Sequence, residues 1–383
     1  MRKFFWLNLL VVLIVSINLR APITLIGPLI EEIKIVYNIN SAVAGFLTTL
    51  PLIVFGFMSF VVAYFSPIRA MLFGMILIFI VEIVRSYVGS VGLFVGSVML
   101  GSGIAIANVL MPSFIKAKFP NEIPKIMGIY SLSLNLSTII GIFLALPLLN
   151  LIGLKNAMAF FGIFGIFAIF VYIPQMKNGR IKRKKKNLNS EVKILSNLTA
   201  LKITILMGLQ SFIFYSIITW LPTIILQNGY EIEFGSNMLL LSQIIAIPMA
   251  FLAPFILGKL KDDSQTIYLA ILFLMYALGL LCLLLSTNIY VIILACIILG
   301  FPMGGAFGIA ILFITIKSSN INVSSKLSSI SQGFGYLIAA PAPAIIGFLY
   351  DYFNSFAPAI ILLLIASFIL NLFGILTHKS RAI

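Results

Sequence analysis

Charged residues are scarce in this 383-residue sequence: only 9% of its side chains are Asp, Glu, Lys or Arg, against roughly a quarter in an ordinary soluble domain. Hydrophobic residues make up 61% of the chain. A water-soluble fold of this size has too little interior to hide so much apolar surface. The composition therefore excludes a soluble protein and predicts an all-α membrane protein.

The residue types that enzymes and metal sites use are also scarce. The one histidine, His378, lies in the C-terminal tail, and the two cysteines, Cys282 and Cys296, lie in apolar runs without the spacing of a metal site or disulfide. Hydrolysis, redox or metal chemistry inside a membrane needs a nucleophile with its base, paired carboxylates or a ligand cluster. The sequence therefore predicts no enzyme, no metal site and no cofactor.

Apolar runs long enough to span a membrane recur along the whole chain. A helix needs about 20 apolar residues to cross the hydrocarbon, and the first run continues past the length of an ordinary signal peptide. We therefore predict twelve transmembrane helices, at 5–30, 41–65, 70–88, 91–115, 126–150, 155–175, 201–226, 236–258, 266–286, 288–315, 327–350 and 356–377.

The lysines and arginines predict the orientation of these spans. With both termini in the cytoplasm, 21 of the 25 basic residues fall in inner loops and tails, and Lys34 and Lys155 are the two in outer loops. Cytoplasmic loops of membrane proteins carry just such an excess. We therefore expect a multi-pass protein of the cell membrane with both termini cytoplasmic.

A polar segment in the middle divides the chain into two halves of six spans each. We predict a six-helix bundle at 1–176, a basic linker at 177–200 and a second bundle at 201–383. The basic run GRIKRKKKNLN at 179–189 resembles a nucleic-acid patch, but between two spans it is expected to face the anionic lipid of the bilayer. Pairs of similar segments, such as MLGSGIAIAN at 99–108 and ILGFPMGGAF at 298–307, suggest two pseudo-symmetric halves.

Several segments resemble the major facilitator superfamily, and within it the branch of cyanate permeases and nitroimidazole transporters. They are NLRAPITLIGPL at 18–29, GSGIAIANVLMPSFIKAKFP at 101–120, GLQSFIFYSIITWLP at 208–222 and SQGFGYLIAAPAPAIIGFLYD at 331–351. The resemblance implies the major facilitator fold and transport of small anions or small polar organics. Members of the superfamily usually carry several charges in the loop between spans two and three. The loop at 63–74 departs from that pattern, because Arg69 is its single charge.

Arg20 is the strongest candidate for a substrate ligand. It lies some sixteen residues into the first span, near the middle of the membrane, where a charge is costly and usually faces a cavity or a partner. Its planar guanidinium offers five donors and suits carboxylate-like or nitrite-like anions. The alternative is a structural anchor to helix carbonyls or to Glu82.

Glu82 and Arg85 are the other two charged residues in the interior of the predicted spans. Three residues apart on one helix, they share a face and are expected to form an ion pair. The alternative is that Glu82 carries a proton during transport, since a low-dielectric interior disfavours a charged carboxylate. Proton coupling through the outer Glu31 and Glu32, or none at all, also remains open.

Neutral polar residues in the spans complete the candidate site. Each of them is either a substrate ligand or a hydrogen bond between helices. Those in the segments that carry the resemblance are Asn18, Asn108, Gln210, Tyr215, Gln332 and Tyr336. Trp6 and Trp220 lie toward the ends of spans, and we expect both to anchor the protein at the membrane interface.

The function that follows is secondary active transport of a small anion or small polar organic by alternating access, with the site between the two halves. The expected partners are the substrate, the bilayer, and a proton or counter-ion, and we expect a monomer. The alternative is an exporter of amphipathic or cationic drug-like compounds with Glu82 as the charge partner. A channel would lack saturable counterflow.

The orientation is tested with single cysteines introduced into a variant without Cys282 and Cys296. We expect a membrane-impermeant maleimide to label Ser286→Cys, at the outer end of the ninth predicted span, in intact cells. The matched Ser190→Cys, in the basic linker, should react only after permeabilisation. The reverse pattern would contradict the assigned orientation.

Overall fold

The protein is almost entirely helical in the computed structural model, which describes residues 2–62, 67–119, 123–177, 196–319 and 321–383. Fourteen helices are present in these ranges: α1 Arg2–Thr24, α2 Ile26–Tyr37, α3 Ser41–Val61, α4 Pro67–Tyr87, α5 Gly89–Lys118, α6 Ile123–Phe160, α7 Gly162–Lys177, α8 Leu198–Gln227, α9 Ile232–Lys259, α10 Asp262–Leu285, α11 Ile289–Ile316, α12 Ile321–Ala339, α13 Ala342–Phe353 and α14 Ala357–His378.

These helices make up twelve spans, as the sequence predicts. Ten stretches are long and apolar enough to cross a membrane on their own, and one of them, Leu132–Met176, contains two spans. It bends at Gly153, whose φ of 78° lies in the left-handed region that glycine tolerates. The one remaining span is α4, the third along the chain, which carries Arg69, Glu82 and Arg85.

Two of the spans consist of two helices joined by a short break. The first span is α1 followed by α2, with Leu25 between them, so it continues to Tyr37, beyond the predicted end at residue 30. The eleventh is α12 followed by α13. A proline lies close to each interruption: Pro22 one turn before Leu25, inside α1, and Pro341 directly before α13; neither has the N–H of a regular helix residue.

The chain folds into two compact units, formed by Met1–Ile39 with Leu47–Lys184, and by Asn40–Phe46 with Lys185–Ile383. Most of the predicted basic linker at 177–200 lies outside the described residues. In unit 1 the core gathers around the break in the first span, where Leu25, Ile26 and Leu29 pack with Met158 and Phe161. Large apolar side chains also remain exposed on both units, among them Phe143, Phe170, Phe251 and Phe368, as expected for surfaces that face lipid.

The first turn of α3 belongs to unit 2, where α13 holds it. The Asp351 carboxylate accepts hydrogen bonds from the backbone N–H groups of Ser41, at 3.3 Å, and Ala42, at 2.8 Å. It therefore caps the positive end of that helix. The approach is close, because a Cβ at Gly45 would lie 2.5 Å from the Pro343 carbonyl oxygen.

Removing this cap is expected to destabilise the protein. Asp351→Ala leaves two backbone donors without their acceptor, so the free energy of unfolding should fall by about 1–2 kcal/mol. Thermal unfolding in detergent measures the change. The control is Asp263→Ala, which removes an exposed carboxylate from the first turn of α10 and should cost only a few tenths of a kcal/mol. Equal losses in the two variants would contradict the capping role.

Candidate functional site

Arg20 lies in unit 1 on the last two turns of α1 and is half-buried. The backbone around it is held by α6. The Ser137 hydroxyl accepts a hydrogen bond from the backbone N–H of Ala21 at 2.8 Å and donates one to the carbonyl of Ile17. It thus bridges two groups that pair directly in a regular helix. The hydroxyl also accepts from the Arg20 N–H at 3.3 Å.

A second contact from α6 follows one turn later. The Thr24 hydroxyl lies 3.3 Å from the Thr138 carbonyl oxygen and can donate to it. Gly141 makes this approach possible, because a Cβ there would lie 2.7 Å from the Ala21 carbonyl oxygen and 3.0 Å from Ala21 Cα. The stretch of α1 that carries Arg20 is therefore fixed against α6 by hydrogen bonds and by close backbone packing.

Asn108 is brought into the same region by Tyr130. The Tyr130 hydroxyl donates a hydrogen bond to Asn108 Oδ1, and the charge of Arg20 lies near enough to that hydroxyl to interact with it electrostatically. Tyr130 is almost fully buried, whereas Arg20 and Asn108 are half-buried. α1, α5 and α6 thus bring a cation, an amide and a phenol into the same part of unit 1, and the Arg20 guanidinium and the Asn108 amide N–H groups are the donors that an anion could use.

Tyr130 and Ser137 are not among the site residues that the sequence predicts. Tyr130 is one of 13 tyrosines, and it lies outside the segments that carry the family resemblance. Ser137 is a short polar residue of a kind that usually bonds within its own helix. Neither residue carries a signal that sets it apart before the packing of α1 on α6 is known.

Asn18 is placed differently from Arg20, although it is only two residues away. Its side-chain amide donates to the Ile14 carbonyl at 2.8 Å and to the Phe164 carbonyl of α7 at 3.1 Å. The residue is 1% exposed. In this structure Asn18 joins α1 to α7.

Glu82 and Arg85 lie on α4 and are both completely buried. Arg85 Nη1 lies 3.8 Å from Glu82 Oε1, an ion pair without a hydrogen bond, and donates at 2.8 Å to the carbonyl of Pro22. Within the described part of the chain, neither oxygen of Glu82 has a hydrogen-bond partner. The guanidinium therefore connects α4 to α1 two residues after Arg20.

The two candidate glutamines of unit 2 bond to their own helices. Gln210 is buried, and its amide donates to the Met207 carbonyl at 3.1 Å and to the Ser211 hydroxyl at 2.5 Å. Gln332 is half-buried and donates to the Ser328 hydroxyl at 2.8 Å. Each amide also has an oxygen that can accept a hydrogen bond.

Tyr215 and Tyr336 form an aromatic pair in unit 2, with ring centroids 6.3 Å apart and planes tilted by 55°. Tyr215 lies on α8 and Tyr336 on α12. Glycine brings these helices together, since a Cβ at Gly208 would meet Ile338 at 2.9 Å. The four candidate residues of unit 2 thus lie on two adjacent helices that pack closely.

Comparison with known proteins identifies relatives over nearly the whole chain. The model of the Major Facilitator Superfamily matches residues 9–343. A 2-nitroimidazole transporter from Escherichia coli (strain K12) is 30% identical over 97% of this chain and 95% of its own length. The cyanate transport protein CynX of the same organism is 24% identical over 88% of each chain.

Solved structures show the same fold. A bacterial homolog of the human lysosomal transporter Spinster, in an inward-facing and unoccupied conformation, superposes with a TM-score of 0.76 at 14% sequence identity. The match covers 99% of this chain and 98% of that one.

The close packing of α1 on α6 can be tested by adding a single methyl group. Gly141→Ala places a Cβ against the α1 backbone, which cannot move aside as a flexible side chain would, so we expect a loss of about 1–3 kcal/mol in stability. Thermal unfolding in detergent measures it. Gly258→Ala is the matched control: that glycine is also helical, but apart from the backbone of its own helix no atom lies within 4 Å of its added Cβ. The control should be neutral or slightly stabilising, and a similar result for Gly141→Ala would contradict the close packing.

Proposed function

We propose that this chain, which belongs to the Major Facilitator Superfamily, carries a small anion or small polar organic by alternating access. As a member of that family it is a multi-pass membrane transporter and not an enzyme. The distribution of its basic residues supports a location in the cell membrane with both termini cytoplasmic. The substrate class is argued from the residues of unit 1.

The observation that carries the proposal is the group around Arg20. An arginine stays charged throughout a transport cycle, and its planar fork can bind two oxygens or nitrogens of one anion. Asn108 adds amide N–H donors in the same part of unit 1, and Tyr130 holds that amide by donating to its oxygen. In a low-dielectric interior such bonds to a charged partner are stronger than bonds between neutral groups. Arg20 is therefore proposed as the main ligand, with Asn108 as a second donor and with Tyr130 orienting the Asn108 amide.

The substrates named for the two relatives agree with this chemistry. Cyanate is a small anion, and a 2-nitroimidazole carries a nitro group whose two oxygens have the spacing of a carboxylate. Both are compact and rich in acceptor atoms, so both suit a fork of N–H donors. By analogy we propose a small substrate with two closely spaced acceptors, or one that is linear and charged.

The candidate residues of unit 2 are proposed as further substrate ligands, less polar than those of unit 1. The rings of Tyr215 and Tyr336 offer apolar faces with a hydroxyl at one end, and Gln210 and Gln332 add amides. Asn18 is proposed to support the site through α7 and to make no contact with the substrate. Glu82 and Arg85 are proposed to be a structural ion pair, so that Glu82 carries no proton.

Transport by purified protein in proteoliposomes tests the proposal. The probes are cyanate, nitrite, 2-nitroimidazole and tetraphenylphosphonium, measured as saturable counterflow. We expect Arg20→Ala to lower kcat/KM for the transported anion about 10- to 100-fold, because charge-assisted hydrogen bonds are lost. Arg20→Lys keeps the charge but loses the fork, and should restore only part of the activity.

Arg69→Ala is the matched control, since Arg69 is exposed on α4 and its loss should leave transport unchanged. Anion counterflow that survives Arg20→Ala would refute the role of Arg20. Counterflow of tetraphenylphosphonium alone, abolished by Glu82→Gln, would indicate export of cationic compounds. Flux without saturation would indicate a channel.

A further inference from the structure

Arg85 is a buried charge that the proposed transport step does not itself use. Its side chain is 1% exposed and that of Glu82 is fully buried, and burying a charge within a membrane costs at least about 2.5–3.5 kcal/mol. Pairing with Glu82 does not by itself explain why Arg85 is present. Two apolar residues in place of Glu82 and Arg85 would avoid the cost of burying charge entirely. A charge retained there calls for a task that a neutral side chain performs less well.

The geometry of the guanidinium indicates what that task is. Nη1 lies 2.8 Å from the carbonyl oxygen of Pro22 but 3.8 Å from the carboxylate of Glu82. Its hydrogen bond therefore goes to the backbone of α1, and Glu82 contributes its charge from a greater distance. A charged donor to a buried carbonyl makes a stronger bond than a neutral one.

The bonded carbonyl belongs to a weak point of α1. Pro22 has no N–H of its own, and α1 ends at Thr24 before the break at Leu25. Ser137 holds the same stretch from the side of α6 through Ile17 and Ala21. The turn that carries Arg20 is therefore held from two sides. The Ser137 hydroxyl binds the backbone before Pro22, and the Arg85 guanidinium binds the Pro22 carbonyl.

Arg85 is itself held in place by α5. A Cβ at Gly96 would lie 2.8 Å from Arg85 Cβ and 3.0 Å from Arg85 Cα, so the two helices touch at this residue. The base of the Arg85 side chain is thereby fixed in direction. A fixed donor can impose a position on the Pro22 carbonyl, whereas a mobile one would only follow it.

We infer that Arg85 is a positioning residue for the substrate site: it fixes the Pro22 carbonyl and thereby sets the direction in which α1 presents Arg20. Glu82 supplies the counter-charge that keeps the guanidinium in the membrane. The inference rests on the proposed function for its consequence in transport. Its structural part, the restraint of α1 by Arg85, stands independently of which substrate is carried.

The first experiment measures that restraint directly and needs no substrate. Backbone hydrogen–deuterium exchange of residues 20–26, in lipid nanodiscs, is compared between the wild type, Arg85→Met and the double variant Glu82→Gln/Arg85→Met. Methionine is similar in length but cannot donate a hydrogen bond. We expect exchange to rise about tenfold or more in both variants, while Glu82→Gln alone changes it much less.

The double variant makes the test decisive if Arg85→Met does not fold, because it leaves no unpaired charge. If mutual neutralisation were the single role of the pair, the double variant would exchange like the wild type, and the inference would be overturned. Gln175→Leu is the matched control. It removes the buried hydrogen bond that Gln175 Nε2 donates to Asn8 Oδ1 at 2.6 Å. Asn8 is also on α1, but far from the break, so exchange at 20–26 should not change.

The second experiment connects the restraint to transport through a double-mutant cycle. KM and kcat for cyanate counterflow are measured for Arg20→Ala, Glu82→Gln/Arg85→Met and the combination of all three substitutions. If Arg85 acts through Arg20, its replacement raises KM in the wild type but adds little once Arg20 is gone. Fully additive effects would overturn the inference. Cyanate counterflow unaffected by Arg20→Ala would instead refute the proposed function and leave the exchange result standing.

Discussion

Inside a membrane no water is available to satisfy a backbone carbonyl or amide, so every such group needs a partner in the protein. Pro22 makes this constraint acute in α1, since a proline removes a donor and disturbs the hydrogen bonds on either side of it. The structure meets the constraint with side chains from other helices. Ser137 bridges Ile17 and Ala21, and Arg85 bonds to the carbonyl of Pro22. The placement of Arg20 depends on these bonds.

Close helix packing gives those side chains their reach. A hydroxyl can enter the backbone of a neighbouring helix only if the two axes are near each other, and Gly141 allows this for α6 against α1. Gly96 does the same for α5 at Arg85, and Gly208 for α8 at α12. In a bilayer, where lipid is as apolar as leucine, such backbone contacts and buried hydrogen bonds provide the association between helices. By allowing the helices to approach closely, the glycines also bring polar side chains within hydrogen-bonding distance of neighbouring backbones.

The sequence predicted the spans well because apolar length is a property of the local chain. It also predicted the turn between the fifth and sixth spans, which the structure places at Gly153. Glu82 and Arg85 form the ion pair, 3.8 Å apart, that their spacing of three residues predicts. The length of an apolar run and the spacing of residues along one helix can be read from the sequence, and they were sufficient to predict these features.

Contacts between helices were beyond the reach of the sequence. Tyr130 and Ser137 gain their importance from α1, more than 100 residues earlier in the chain. Trp220 was expected at the membrane interface, and that prediction is wrong: its side chain is fully buried, and its indole N–H donates to the Pro343 carbonyl at 2.8 Å. Position within a span does not reveal which face a neighbouring helix covers.

The charges of α4 also bear on how the protein enters the membrane as it is synthesised. α4 carries three charged residues, Arg69, Glu82 and Arg85, and charges within a span oppose its release into lipid during synthesis. Because Glu82 and Arg85 lie three residues apart, they can approach each other as soon as the helix forms, before α1 and α5 are in place. We expect this local pairing to lower the barrier to insertion and α5, which follows after a single residue, to draw α4 in as a hairpin. The same pair would then serve biogenesis first and the architecture of the finished bundle afterwards.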